Sequence, residues 1–230
     1  MRIDTLTPRQ LAAYFDHSLL MPNNIRADYD KHIAECKQYG FFSAAVNSAI
    51  VPYYVAQLAG TDIPVGAAIG FPFGQANIES KVAETKAAIA QGALEIDYVL
   101  NIGRLLDGER NYIQDEMAQI FEVCKNSNVV CKVILENCYL QDTHKIMACE
   151  IAVDIGIDYV KTSTGFGSGG ATLADVQLMR SVVGDRVKIK AAGAMKNLEI
   201  VADMIELGVD RIGSAFGPAI LQDFMARRTL

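Results

Sequence analysis

No two cysteines in the chain are spaced C-x-x-C, and only three histidines, His17, His32 and His144, are present. Metal-ligand spacing is therefore missing, and neither a resident metal nor a cofactor is expected. The five cysteines, Cys36, Cys124, Cys131, Cys138 and Cys149, are scattered along the chain. That pattern fits free thiols in a reducing, cytoplasmic setting. No apolar stretch is long enough to span a bilayer, and no apolar signal-peptide core stands at the N-terminus, so no membrane partner is expected. Basic runs and basic–aromatic interleaving are also lacking. With a formal net charge of −6, this argues against a nucleic-acid partner.

What the sequence has is apolar material in a regular order. Of 230 residues, 51% are hydrophobic, enough to bury one substantial core. Short β-rich runs fall at 16–20, 41–47, 64–71, 95–101, 129–136, 158–164, 187–193 and 210–215. Helical patterns lie between them. Two, at 77–92 and 197–208, end on glycine, a common helix stop. A third, at 172–179, opens on the cap residue Thr172. Repeated β-then-α units predict an α/β fold of the (β/α)₈ TIM-barrel type. The segment 6–15 reads as an extra N-terminal helix closing one end. An open doubly wound sheet is the alternative, but no G-x-G-x-x-G follows the first strand. No linker or low-complexity segment interrupts the pattern, so residues 1–230 read as a single domain.

Active sites in such barrels gather at the C-terminal ends of the strands. Charged residues in or just after the apolar runs include Asp16, Asp97, Lys132, Lys161 and Lys190. Strand periodicity puts Lys188 on the same face as Lys190, but Lys188 starts its strand and falls near the opposite end. Lys161 and Lys190 sit on consecutive strands, about 4.8 Å apart. Mutual repulsion and desolvation both lower a lysine pKa, which would leave one amine neutral and nucleophilic toward a carbonyl. Asp97 suits proton transfer. A structural Lys–Asp–Lys network is the competing reading, since buried charges are usually paired. Glycines in "GFGSGG" (165–170), "AAGA" (191–194) and "GSAFG" (213–217) read either as tight turns or as backbone cradles for an anion.

The stretches "FDHSLLMP", "IGFPFG", "ALEIDYVLNIG", "CKVILE", "YVKTSTGF", "GGAT", "KAAG" and "RIG" resemble those of the deoxyribose-phosphate aldolase family, over nearly the whole chain. The resemblance implies a class I Schiff-base aldolase. Such an enzyme reversibly cleaves 2-deoxy-D-ribose 5-phosphate to D-glyceraldehyde 3-phosphate and acetaldehyde. It implies Lys161 as the Schiff-base lysine, Lys190 as the second lysine that lowers its pKa, and Asp97 as the acid/base. Asp16 would support the relay through Lys190, with Lys132 close by. Thr164, Gly165, Gly193, Ala194, Lys196, Gly213 and Ser214 fall where substrate and phosphate would bind.

The departures concern the phosphate. Where the family usually has two glycines and then an arginine two residues on, this chain reads Gly193, Ala194, Met195, Lys196. Where it usually has two serines, this chain has Ala215 and Phe216. Lysine replaces arginine as a point charge but not as a bidentate fork. These changes keep open a related class I aldolase that joins acetaldehyde to a different or unphosphorylated aldehyde. A third reading is a non-catalytic barrel that binds a metabolite. The expected partner is a small sugar phosphate or aldehyde; a homodimer or higher homo-oligomer is compatible with the sequence.

Overall fold

The computed structural model describes residues 3–228. Eight parallel strands close into a barrel in sequence order: β1 (Phe15–Leu19), β2 (Ser43–Asn47), β3 (Val65–Ile69), β4 (Glu95–Val99), β5 (Val130–Ile134), β6 (Tyr159–Lys161), β7 (Lys188–Ala192) and β8 (Arg211–Ser214). β1 pairs with β8, so no edge is left open. Around the barrel run α1 (Pro8–Ala12), α2 (Arg26–Tyr39), α3 (Val51–Gln57), α4 (Ile78–Ala90) and α5 (Ile102–Leu106). α6 (Arg110–Asn126), α7 (Asp142–Ile155), α8 (Leu173–Val183), α9 (Leu198–Glu206) and α10 (Gly217–Arg227) complete the ring. All eight expected strands are present. The doubly wound alternative is excluded by closure.

Local chemistry explains the helix boundaries. Side-chain oxygens of Asn77, Thr172 and Asn197 accept from the backbone N–H three residues on, satisfying orphan donors at the starts of α4, α8 and α9. The glycine stops hold: Gly92 and Gly208 follow α4 and α9 in left-handed conformation. The N-terminal helix is shorter than expected. It begins at Pro8 behind a Thr7–Gln10 capping box and ends at Ala12. Phe15, expected in that helix, instead opens β1, where its ring packs 5.8 Å from that of Phe41.

The strands alternate strictly. Ile96, Tyr98, Cys131, Val133, Val160, Ile189, Ala191 and Ile212 belong to the continuous apolar core shared with the helices. Their neighbours Glu95, Asp97, Lys132, Lys161 and Lys190 are also buried, but they face each other inside the barrel. The greasy layer is therefore the mantle between strands and helices, while the barrel interior is ionic. A fully buried ion pair lies outside the barrel. Lys81 Nζ donates to Glu116 Oε1 (2.6 Å) and to the carbonyl of Val99 (2.8 Å), and Glu116 Oε2 accepts from Asn101 N (2.9 Å). Both side chains are fully buried. The pair clamps the C-terminal end of β4, the strand that carries Asp97.

Candidate active site

Asp97 is the hub of the barrel interior. Its Oδ2 accepts from Lys161 Nζ (2.8 Å) and Lys190 Nζ (2.7 Å), and its Oδ1 from Lys132 Nζ (2.8 Å). Strand register produces this convergence. Lys161 lies level with Lys190 across β6 and β7, and Asp97 level with Lys132 across β4 and β5. Asp16 closes the cluster from β1, with Oδ2 at 2.5 Å from Lys190 Nζ and 3.7 Å from Lys132 Nζ. All five expected catalytic positions therefore meet in one buried group. Lys188 does not join it. It is exposed at the start of β7, with Nζ 5.5 Å from the Tyr159 ring centroid.

The environment separates three chemically identical lysines. Burial lowers the pKa of Lys161. Asp97 opposes that, the Lys190 and Lys132 ammoniums reinforce it, and the result is about 8. Burial also disfavours a charged Lys132, but the carboxylates of Asp97, Glu95 and Asp16 outweigh it and hold that ammonium well above the usual lysine value. Burial works against ionised Asp97 too. Lys132, Lys161 and Lys190 overcome it and hold the carboxyl well below the usual carboxylate range. At pH 7 a lysine of pKa about 8 is neutral in about one molecule in eleven, against about one in 3,000 at the ordinary value. The sequence suggested Lys190 as a source of this depression; Lys190 contributes, but burial contributes more.

Thr164, Gly165, Gly193, Ala194, Lys196, Gly213 and Ser214 all line one cavity of about 310 Å³ that reaches Lys161. Their individual roles differ from a simple anion cradle. A Cβ on Gly213 would stand 3.1 Å from Lys190 Cε and 2.9 Å from Ala192 Cβ, so this glycine makes room for the second lysine. A Cβ on Gly193 would meet Gly170 Cα at 2.9 Å, because the β6 and β7 loops pack backbone to backbone. Ser214 Oγ donates to the carbonyl of Met195 (2.6 Å) and accepts from Phe216 N (2.9 Å), so its hydroxyl ties two loops together. Ala194 takes a left-handed conformation with φ 59°, which disfavours any side chain. Ala215 and Phe216 are exposed along the same wall, and Lys196 is exposed at the rim.

Three residues of the site are absent from the sequence-based selection. Glu95 Oε2 accepts from Lys132 Nζ (2.8 Å). It precedes Asp97 by two, so strand periodicity alone places both carboxylates on one face. Arg211 opens β8, with Nε 3.7 Å from Asp16 Oδ1. Glu136 ends the run "VILE" and is buried in a left-handed conformation. Its Oε1 accepts from Thr164 N (3.2 Å) and its Oε2 from the Thr164 hydroxyl. Burial raises its pKa against the pull of those hydrogen bonds. A second cavity of about 370 Å³ opens beside it, and Thr164 and Phe166 border both cavities.

A lysine made partly neutral, hydrogen-bonded to an ionised carboxylate and open to a cavity, can condense with a carbonyl and pass protons to the same carboxylate. Among the described residues, no group of three or more histidine, cysteine or acidic side chains is arranged to hold a metal ion.

Comparisons with known proteins point the same way. The model of the DeoC/LacD family of aldolases matches residues 11–224. The chain is 44% identical to the deoxyribose-phosphate aldolase of Bacteroides thetaiotaomicron, over 96% of this chain and 93% of that one. It is 46% identical to that of Lactobacillus acidophilus, over 94% of this chain and 91% of the relative. Among solved structures it is similar to a tetrameric deoxyribose phosphate aldolase from Aeropyrum pernix, with a TM-score of 0.90 at 27% identity, covering 98% of this chain and 95% of that one. It also resembles an aldolase called QR15, with a TM-score of 0.89 at 32% identity, covering 95% and 97% of the two chains.

Proposed function

The chain belongs to the DeoC/LacD family of aldolases, and on that premise we propose that it is a deoxyribose-phosphate aldolase. It cleaves 2-deoxy-D-ribose 5-phosphate reversibly to D-glyceraldehyde 3-phosphate and acetaldehyde. The observation that carries the reading is Lys161: buried, poised near pKa 8, and bonded to Asp97 at the floor of the cavity.

In this reading neutral Lys161 attacks C1 of the open-chain sugar. The carbinolamine loses water to give an iminium ion, which serves as the electron sink. The C3 hydroxyl then gives up its proton, the C2–C3 bond breaks, and its electron pair passes to the iminium as an enamine. D-glyceraldehyde 3-phosphate leaves. Protonation of the enamine at C2 and hydrolysis release acetaldehyde and regenerate the amine. Asp97 is held ionised, so it accepts hydrogen bonds from Lys161 and Lys190 on one oxygen and lines the two amines up for proton transfer with the substrate. Lys132 stays cationic and holds the other oxygen. Asp16 orients Lys190.

Incubation with acetaldehyde and borohydride tests this. A reduced two-carbon adduct is expected on Lys161, with a trapping rate that rises with pH through a midpoint near 8. An adduct on Lys190 or Lys188, or none, refutes the assignment and returns the barrel to the class of non-catalytic binders.

The wall at Ala215 and Phe216 favours one variation: a different or unphosphorylated aldehyde in place of glyceraldehyde 3-phosphate. Comparing kcat/KM for phosphorylated and free deoxyribose decides between the two. The five free thiols support a reducing, cytoplasmic setting. The tetrameric relative supports self-association, which light scattering measures directly.

A further inference from the structure

Three carboxylates and four cations share the barrel interior. Asp16, Glu95 and Asp97 stand against Lys132, Lys190, Arg211 and Lys161. β2 and β3, reading "SAAVN" and "VGAAI", carry no ionisable residue. Tyr159 lies in the same layer as Lys132, and burial pushes its phenol up to about 12, so it stays neutral. Lys188 is exposed at the far end. The interior is therefore electroneutral when Lys161, and no other cation, gives up its proton. Glu136 is the remaining carboxylate within reach; it sits above the strands on the β5 loop, where two groups of Thr164 hold it.

Within that count Glu95 has no visible task in the chemistry. It is 3% exposed, makes one contact with a cation, and lies two residues below Asp97, remote from the cavity lining. We propose that Glu95 is a positioning residue that fixes the proton affinity of Lys161 through the net charge of the barrel interior, by pairing with Lys132. The inference rests on Lys161 being the reactive amine. Lys132 bridges the two carboxylates, 2.8 Å from each. With Glu95 satisfying part of that ammonium, Asp97 keeps its other oxygen for Lys161 and Lys190. Without it, the barrel interior with Lys161 protonated carries two uncompensated positive charges instead of one, and Lys161 is the cation that relaxes by losing a proton.

The sign is opposite for the two partners. Glu95→Gln removes a negative charge, so the midpoint for neutral Lys161 moves to lower pH. Lys132→Met removes a positive charge, so it moves to higher pH. The double variant removes both and returns the midpoint to its parental place. Buried charges within about 10 Å, at an effective dielectric of about 20, shift one another by about one pH unit, a tenfold change in the neutral fraction. Glu95→Asp keeps the charge and leaves the midpoint near the parental value.

The measurement is the rate of borohydride trapping by acetaldehyde at Lys161, mapped by peptide mass and followed from pH 5 to 10. The expected result is a midpoint displaced by about one unit in opposite directions in the two single variants and restored in the double variant. Trapping at Lys161 in the parent, with midpoints unmoved in the variants or moved in the same direction, overturns the role of Glu95. Absence of trapping at Lys161 in the parent overturns instead the assignment beneath it. Should Glu95→Gln fail to fold, the double variant decides: a parental midpoint supports charge balance, and a displaced one refutes it.

Discussion

The two ends of the cavity are built on different principles. At the floor, every reactive side chain is held by another: Asp97 by three lysines, Lys190 by two carboxylates, Lys132 by Glu95 and Asp97. At the β7 and β8 loops, the wall is mostly backbone and small or apolar side chains, and its one buried hydroxyl is spent on a loop-to-loop bond. Changing one member of the floor leaves an unpaired buried charge, which is costly. Changing exposed Ala215 or Phe216 in the wall leaves only a different surface toward solvent.

The strongest way to break this comparison is to attack the floor. Asp97→Asn keeps the size but loses the negative charge and one of the two oxygens that accept hydrogen bonds from the three lysines. Turnover falls by about 10²-fold or more in the folded variant. Near-parental turnover in steady-state assays would reduce Asp97 to scaffolding. Lys190→Leu comes next. It removes a cation beside Lys161, whose pKa of about 8 then rises. The rising limb of the pH–rate profile moves to the alkaline side by about one unit, costing about tenfold in rate at pH 7. A profile unchanged in position would show that burial alone tunes the nucleophile.

The wall sharpens the comparison with smaller effects. Ala215→Ser with Phe216→Ser restores two hydroxyls, each charge-assisted hydrogen bond to a phosphate being worth about 1.5–3 kcal/mol. Partly offset by water, that widens the preference for phosphorylated over free deoxyribose by about tenfold, mainly through KM. A parent that already prefers the phosphate by several orders of magnitude, with no gain in the double variant, would show that loop backbone and Lys196 suffice. The smallest effect is at Ala194. Its left-handed backbone is strained for alanine and free for glycine. Ala194→Gly stabilises the fold by about 1 kcal/mol in denaturant titration.

Much of this was readable from residue order. Each strand is an apolar run with turn signals at its ends, and period two assigns its faces. Structure trimmed most of the runs, by as much as four residues at β6, and moved Phe15 from helix to strand, because the ring completes the core against Phe41. The lysines and Asp97 stood out as charges within greasy segments. Glu95 and Arg211 did not, because a charge at the first position of a strand looks the same as one in the preceding loop. For Arg211 only closure, which brings β8 beside β1, reveals its partner Asp16. The commitment of Ser214 was equally hidden, since it depends on the carbonyl of Met195 on another loop. Nor does sequence reveal that Gly213 yields space to Lys190, a contact between strands.

The cluster also has a history within each molecule. Lys190 joins Asp97 across 93 residues of chain and Asp16 across 174 (190 − 16). β8 seals β1 against solvent only when the barrel closes. Until it docks, Lys161 is hydrated and keeps an ordinary, protonated amine, because burial is the main source of its low pKa. An unfolded chain therefore carries no partly neutral lysine at this position. Barrel closure arms the amine, and the same closure walls it off from all but cavity-sized carbonyls.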